Sequence, residues 1–435
     1  MGSAVVERRK IGLREATAIG VGGVVGAGIF VLSGTASALA GPAVIVAFLL
    51  AFLSSLSLAM CFAELSSLHG DSGGQYAYAK AHLPGWVATV VGWANVGAWA
   101  SGAAFVGRGF GEHLHLLVPA IPATSGAVVL TAVIVVVNLF GLKVSGRLQF
   151  VIMLVEVLFL GVFIVIGGTN VDARHFTPFV THGWYGIVAA AVVGFIALLG
   201  WDAVVVAAEE IDRPQRTIPR AIFASLAIVF VLYIGLLVVI NGVLPSDRLR
   251  GTATPVADAA AVLLGPAGIT GVNVIIVVAL TATVNAFVIV ISRAAFVLAR
   301  DDRMPRVVAR RNARGVPWVA ILLAGGSQIC LTVFSDLEFA VAATGFLYMI
   351  TSVGAVVALF AARRRGAEAA FRTPLYPLTP VVALVLCSLF VIGTGPTGIV
   401  AGTAWLVVGL LGTALLRRRY GRAGSPAVPE APHRN

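Results

Sequence analysis

The sequence predicts an all-α integral membrane protein with twelve transmembrane helices, and three observations support that prediction. The chain is 59% hydrophobic and only 11% charged over 435 residues, whereas a soluble domain carries about 25% charged residues. Its apolar runs are too long for buried core helices, since about 20 residues span a bilayer core. Its basic residues are also sorted: 26 of the 30 lysines and arginines fall in one alternating set of connections between those runs.

The spans run over residues 14–40, 42–68, 85–110, 124–142, 146–168, 184–209, 219–244, 268–298, 317–335, 337–361, 376–393 and 396–416. Several exceed what a bilayer needs, so tilt or a break is expected. Residues 255–264 read as a short helix outside the bilayer. Only Arg108, Arg174, Arg248 and Arg250 fall on the poorly charged side. The positive-inside rule then puts both termini in the cytoplasm of a cell-membrane protein, as an even number of spans requires. The net charge of +11 therefore reports topology and an attraction to anionic lipid at 363–365 and 417–419, not nucleic acid. The basic start precedes an apolar run too long for a signal peptide, so no cleavable signal is expected. The Pro-rich end "AGSPAVPEAPHRN" reads as disordered.

Cys61, Cys330 and Cys387 all sit inside apolar runs and read as buried packing residues, not as a disulfide framework or zinc site. His69, His82, His113, His115, His175 and His182 lie near span ends or in loops, and only His113-x-His115 has a spacing suggestive of metal. No nucleotide loop, HExxH or GxSxG is present. The expectation is a protein that is not an enzyme and uses no cofactor or metal.

The first span carries "GVGGVVGAGIF", five glycines within Gly20–Gly28, each costing a helix interior about 0.5–1 kcal/mol relative to alanine. Span 6 reads "VVGFIALLGWDAVVVAAEE", with Gly194 and Gly200 around an apolar stretch and Asp202 beyond. Spans 1 and 6 open two five-helix sets. Gly-interrupted segments at matching positions of two halves point to a transport site where inverted repeats meet. Unwinding frees N–H groups at one new helix end and C=O groups at the other, and in lipid both sets need a partner. A zwitterion supplies both, its carboxylate taking the N–H end and its ammonium the carbonyls. The competing reading is close helix packing through the GxxxG pair Gly22 and Gly26.

At these residues the chain resembles the amino acid–polyamine–organocation (APC) permeases. "GVGGVVGAGIFVLSG" is similar to their first helix, and "CFAELSSLHGDSGGQYAYAKAHLPGW" to the second helix and its loop. "GFIALLGWDAVVVAAEEIDRPQRTIPRAI" is similar to the sixth, "SRAAFVLARDDRMPRVVARR" to the eighth, and "FRTPLYPLTPVVAL" to the approach to the eleventh. The resemblance covers about residues 11–420. It implies a five-plus-five inverted repeat with discontinuous helices 1 and 6, two additional helices and alternating access. The implied organisation is a cytoplasmic segment 1–13, repeats 14–168 and 169–361, extra helices 362–416 and a cytoplasmic tail 417–435. By position, the substrate carboxylate would meet the N–H groups of Ala27 and Gly28, and the ammonium the carbonyls of Val24, Ile196 and Leu199. Gly26 and Gly200 would make the turns.

Departures from the family pattern carry information too. Ile196 and Leu198 stand where relatives have aromatics in "FFAFxGFD", so any aromatic lid comes from elsewhere, with Phe195 and Trp201 as candidates for it or for plain packing. Ala98 replaces a glutamate of cationic-type relatives. Glu156 lies deep in span 5, near where several sodium-independent relatives carry lysine; either it carries a coupling proton or it pairs with Arg293 or another internal cation. Asp202 either binds the unwound backbone of its own helix or serves coupling, and Asn285 either lines the pathway or bonds a neighbouring helix. Glu64 reads as an ion-pair or capping residue, and "EEIDRPQRTIPRAI" (Glu209–Ile222) as a cytoplasmic loop held by ion pairs.

The function expected is secondary transport of an amino acid, with proton-coupled uptake ahead of exchange and of a non-transporting receptor on the same scaffold. The partners are then a small-molecule amino acid, a proton and the lipid bilayer. Backbone ligands are common to all amino acids, so the sequence leaves the particular one open.

Overall fold

A computed structural model of the chain describes residues 11–68, 74–141, 146–206, 211–249, 252 and 254–422. Among them the regular structure is helical. It begins with α1 (Leu13–Val24), α2 (Ala27–Ala40), α3 (Val44–Leu68), α4 (Gly74–His82), α5 (Gly85–Leu117), α6 (Ala123–Leu139) and α7 (Gly146–Gly168). It continues with α8 (Gly183–Ala197), α9 (Ala203–Val206), α10 (Pro214–Val243), α11 (Ser246–Leu249) and α12 (Pro255–Arg300). It ends with α13 (Trp318–Phe334), α14 (Leu337–Arg364), α15 (Leu378–Gly393) and α16 (Gly395–Arg422). Six stretches are long and apolar enough to cross a membrane, and four further apolar helices of 10–17 residues accompany them. This is a multi-pass membrane protein.

Both spans expected to break do so. The first divides into α1 and α2 at Val25–Gly26, and the sixth into α8 and α9 across Leu198–Asp202. The short helix expected over 255–264 is present as the first part of α12. Gly265 (φ 67°, ψ −164°) ends it, and Pro266 begins the long part, a position that tolerates proline because the first-turn N–H has no helical acceptor.

The helices surround a core drawn from α1–α3, α5, α8, α10, α12 and α14. By contrast α7 and α16 expose most of their apolar residues, including Val162, Val165, Val408 and Leu411, which suits faces solvated by acyl chains.

Arg174 and Arg213, which the sequence reading sets on different sides, lie at opposite ends of α10. At one end Arg174 neighbours Asp172, whose N–H donates to the carbonyl of Gly242 at the close of α10; Arg213 sits at the opposite end, capping the start of the same helix. That basic end is tied by a network. Glu64 on α3 accepts two bonds from the Arg363 guanidinium, at 2.6 and 2.8 Å, and one from the Thr373 N–H at 2.7 Å. Asp301, closing α12, accepts from Lys80 and Tyr76 of α4 at 2.7 and 2.8 Å. Arg303 donates to Thr89 on α5 and its carbonyl accepts from Thr413 on α16. Glu64 is thus the structural ion-pair residue its sequence context suggests. In the loop read as ion-paired, Glu209 and Glu210 lie outside the described residues, as does His69.

The cysteine reading needs one correction. Cys61 and Cys387 are buried as expected, but Cys330 is exposed, because it falls on the outer face of α13.

The Glu64 carboxylate is 1% exposed, and removing its cation strands a buried charge. Arg363→Ala is therefore expected to cost about 3 kcal/mol of stability, read as a lowered unfolding free energy in detergent, with Arg363→Lys recovering only part of it.

Candidate functional site

The first break is built by two residues. Val25 leaves the helix in an extended conformation and Gly26 takes φ 152°, ψ −117°, a region open to glycine alone. A Cβ on Gly26 would also lie 2.3 Å from the Thr283 hydroxyl of α12. The next helix restarts with the Phe30 N–H donating to the Gly26 carbonyl. The N–H groups of Ala27, Gly28 and Ile29 therefore precede the helical ladder and have no acceptor within it.

The second break closes on itself more tightly. Leu198 donates to Gly194 and Phe195, and Leu199 to Ile196 at 3.1 Å, while the Gly200 carbonyl accepts from Ala203. Gly200 has φ 117°.

The two breaks lie against each other. A Cβ on Gly23 would lie 2.6 Å from the Gly200 carbonyl oxygen, one on Gly200 2.1 Å from that of Gly23, and one on Gly28 2.1 Å from that of Ala197. The missing side chains thus first make room for the opposite broken helix. Tyr233 of α10 spans the junction: its hydroxyl donates to the Val24 carbonyl at 2.8 Å, with the Ala197 carbonyl a second acceptor at 3.3 Å.

Beside this junction lies a cavity of about 10 Å³, the room of about one water. Val24, Gly28, Ile196 and Leu199 line it, as does Ala98. Gly26 and Gly200 shape the backbone beside it and are not among its described lining. The other wall was not read from the sequence: Trp99 and Phe105 on α5, Thr283 and Phe287 on α12, and Thr344 and Tyr348 on α14. Trp99 meets Phe287 edge-on at 4.9 Å and Tyr348 at 6.3 Å. These three rings supply the aromatic wall that Ile196 and Leu198 leave missing. The Thr283 and Thr344 hydroxyls each donate back to their own helix, to Ala279 and Ala340, leaving only acceptor lone pairs to offer. Among the described residues no charged side chain lines the cavity.

The remaining candidates fall away from it. Phe195 packs on Tyr348 and Phe390, and Trp201 packs edge-on to Phe62 at 5.3 Å, so both are packing aromatics. Asn285 accepts from Asn138 on α6 at 2.8 Å, which is the helix-bonding role. Asp202 uses one carboxylate oxygen to accept from Gln75 and Tyr348, both at 2.9 Å, and Asn95 in turn donates to Gln75. Its side-chain partners thus come from α4 and α14, and the Gly200 and Asp202 amides of its own unwound segment also face the carboxylate. Glu156 is 2% exposed, one of its oxygens has no hydrogen-bond partner, and no cation lies within ion-pair reach among the described residues. The pairing with Arg293 is absent. His113 bonds Asn273 and His115 the Ile121 carbonyl, so their rings serve separate partners.

A bundle of membrane-spanning helices, two of them broken face to face beside an internal cavity, has the build of a transporter, and comparison with known proteins agrees. The chain belongs to the amino acid permease family, whose model matches residues 11–415. It is 29% identical to the methylthioribose transporter of Bacillus subtilis (strain 168), covering 95% of this chain and 94% of that one. It is 27% identical to the branched-chain amino acid permease BcaP of the same organism, over 95% and 94%. Against the BcaP of Lactococcus lactis subsp. cremoris it is 28% identical, over 91% and 92%. The protein is a transporter, not an enzyme.

Side chains at the junction should separate the breaks. Gly28→Val and Gly200→Ala are each expected to abolish uptake in proteoliposomes while the protein still inserts and purifies, since overpacking costs about 1–3 kcal/mol. Wild-type uptake in either variant would refute the junction.

Proposed function

We propose that the protein takes up a neutral, apolar amino acid across the cytoplasmic membrane by proton-coupled alternating access. The observation that carries this reading is a cavity walled by four aromatic rings and, among the described residues, no charge, set between the amide end of one broken helix and the carbonyl end of another. The substrate carboxylate goes to the N–H groups of Ala27 and Gly28, where the α2 dipole favours an anion. Its ammonium goes to the carbonyls facing them. Leu199 offers its oxygen most freely. Val24 does so once the Tyr233 hydroxyl turns away, and Ile196 once its bond from the Leu199 N–H opens. The side chain then lies against Trp99, Phe287 and Tyr348. That the relatives include two branched-chain permeases by name fits an apolar side chain.

In this reading the chain crosses the bilayer twelve times, with repeats 14–168 and 169–361 related by inversion, helices 362–416 appended and both termini cytoplasmic. The sorting of lysine and arginine among the connections of the sequence supports that orientation. Glu156 carries the proton. It is buried, it has no cation within ion-pair reach among the described residues, and its helix packs against α1 and against α10, which carries Tyr233.

Two measurements test this. A thermal-shift screen is expected to show stabilisation by leucine, isoleucine or valine, amounting to about 2.7 kcal/mol at a hundredfold excess over Kd, and none by lysine or glutamate. Stabilisation by the charged amino acids alone would overturn the substrate class. Glu156→Gln is expected to abolish accumulation driven by an imposed pH gradient while retaining counterflow exchange; an unchanged pH profile would remove Glu156 from coupling.

A further inference from the structure

A second cavity, of about 490 Å³, lies at the basic end of α14 and is lined by Val357, Phe360, Ala361, Arg364 and Arg365. Transport gives it no role. Its lining follows the spacing i, i+3, i+4, i+7, i+8, so it is one face of one helix. That face turns outward: Val357 is 40% exposed, and both arginines are exposed.

The three consecutive arginines of this helix divide their roles. Arg363 is committed inward, to Glu64 and over the Tyr376 ring at 4.2 Å. Arg364 and Arg365 have no carboxylate partner among the described residues, and Arg365 reaches only the Ala81 carbonyl, at 3.4 Å. Two uncompensated guanidiniums thus overhang an apolar floor. From Val357 to Arg365 the helix rises about 12 Å at 1.5 Å per residue, close to the roughly 15 Å of one leaflet's hydrocarbon. A single lipid molecule covers that distance, with its acyl chain at one end and its phosphate at the other. Guanidinium is the cation that binds phosphate in bidentate fashion. A free phosphate would leave Val357 and Phe360 uncovered, and a zwitterionic lipid would bring its own cation up to two others.

We propose that this cavity is a binding site for one anionic phospholipid, with its phosphate held by Arg364 and Arg365 and its acyl chain lying on Val357 and Phe360. The occupant is a lipid of the membrane itself, and the site is independent of which substrate is carried.

The test uses the full chain and native mass spectrometry in mixed micelles of phosphatidylglycerol and phosphatidylcholine. The wild type is expected to retain one phosphatidylglycerol in preference to phosphatidylcholine. Arg364→Gln with Arg365→Gln should weaken that retention about 30-fold, two charges at about fivefold each, with the melting temperature in phosphatidylcholine unchanged. Arg364→Lys with Arg365→Lys keeps the charge without the fork and should fall between. The control pair Arg417→Gln and Arg418→Gln, exposed at the end of α16, should leave retention intact. Equal retention of the two lipids would overturn the site. So would an equal loss from both glutamine pairs, which means diffuse attraction, or displacement by inorganic phosphate alone, which means a free-anion site.

Discussion

Backbone polarity inside the bilayer is the constraint on which the rest of this molecule depends. A peptide group without a partner costs several kcal/mol in hydrocarbon, yet two spans here give up helical bonds midway. The conformation described resolves the conflict by setting the breaks against each other, glycine to carbonyl, and by adding the Tyr233 hydroxyl as a donor for the Val24 carbonyl. Glycine is needed at these positions because any Cβ would fall inside the van der Waals radius of an opposing oxygen. The same geometry sets what a ligand must do. To enter a cavity with room for about one water it must part the breaks, and it has to replace the contacts it displaces. A molecule with an anionic and a cationic group two bonds apart can replace them at both ends.

Much of this was legible in the sequence, because broken helices leave a compositional mark. Gly26 and Gly200 stand out since each costs a regular helix stability and is retained only where the backbone needs its freedom. Val24, Gly28, Ile196 and Leu199 come from the family resemblance, by position, and all four line the cavity. The facing wall left no such mark. Trp99, Phe287 and Tyr348 sit on helices that are apolar all round, where the residues facing a cavity and those facing a neighbouring helix have the same composition. The small residues around Trp99, in "GAWASGAAF", are the one available hint that something bulky packs there. The polar residues were harder still. Asn285, Asp202 and Glu156 all appear as isolated polar groups in apolar runs, and only coordinates separate them. The first is matched by Asn138, the second by Gln75 and Tyr348, and the third by no cation among the described residues.

The basic end shows how the scaffold divides into parts. Charged and hydroxyl groups tie α3 to α14, α4 to α12, and α12 to α5 and α16. Several of these ties are charge-assisted and therefore about twice as strong as neutral ones. Among the described residues, the start of α1 is held differently. Ile11 pairs with Ile211 as a single backbone bridge, and the Asp212 N–H donates to the Ile11 carbonyl at 2.9 Å. The chain leading into one broken helix thus pairs with the chain leaving the other.

That asymmetry bears on which elements move. Interfaces made of many charge-assisted bonds resist sliding, while a single backbone bridge beside a helix break yields at low cost. The hinge is already present at Gly26 and Gly200, residues that absorb large φ and ψ changes without a steric penalty. The Ile11–Ile211 bridge joins the chain entering α1 to the chain leaving α9, so it ties the two broken spans to each other and not to the side-chain network. Tyr348 remains with the tied set, since α14 carries it together with Arg363, yet its hydroxyl bonds Asp202 at the second break. One phenol in this way joins the aromatic wall of the cavity to the second break.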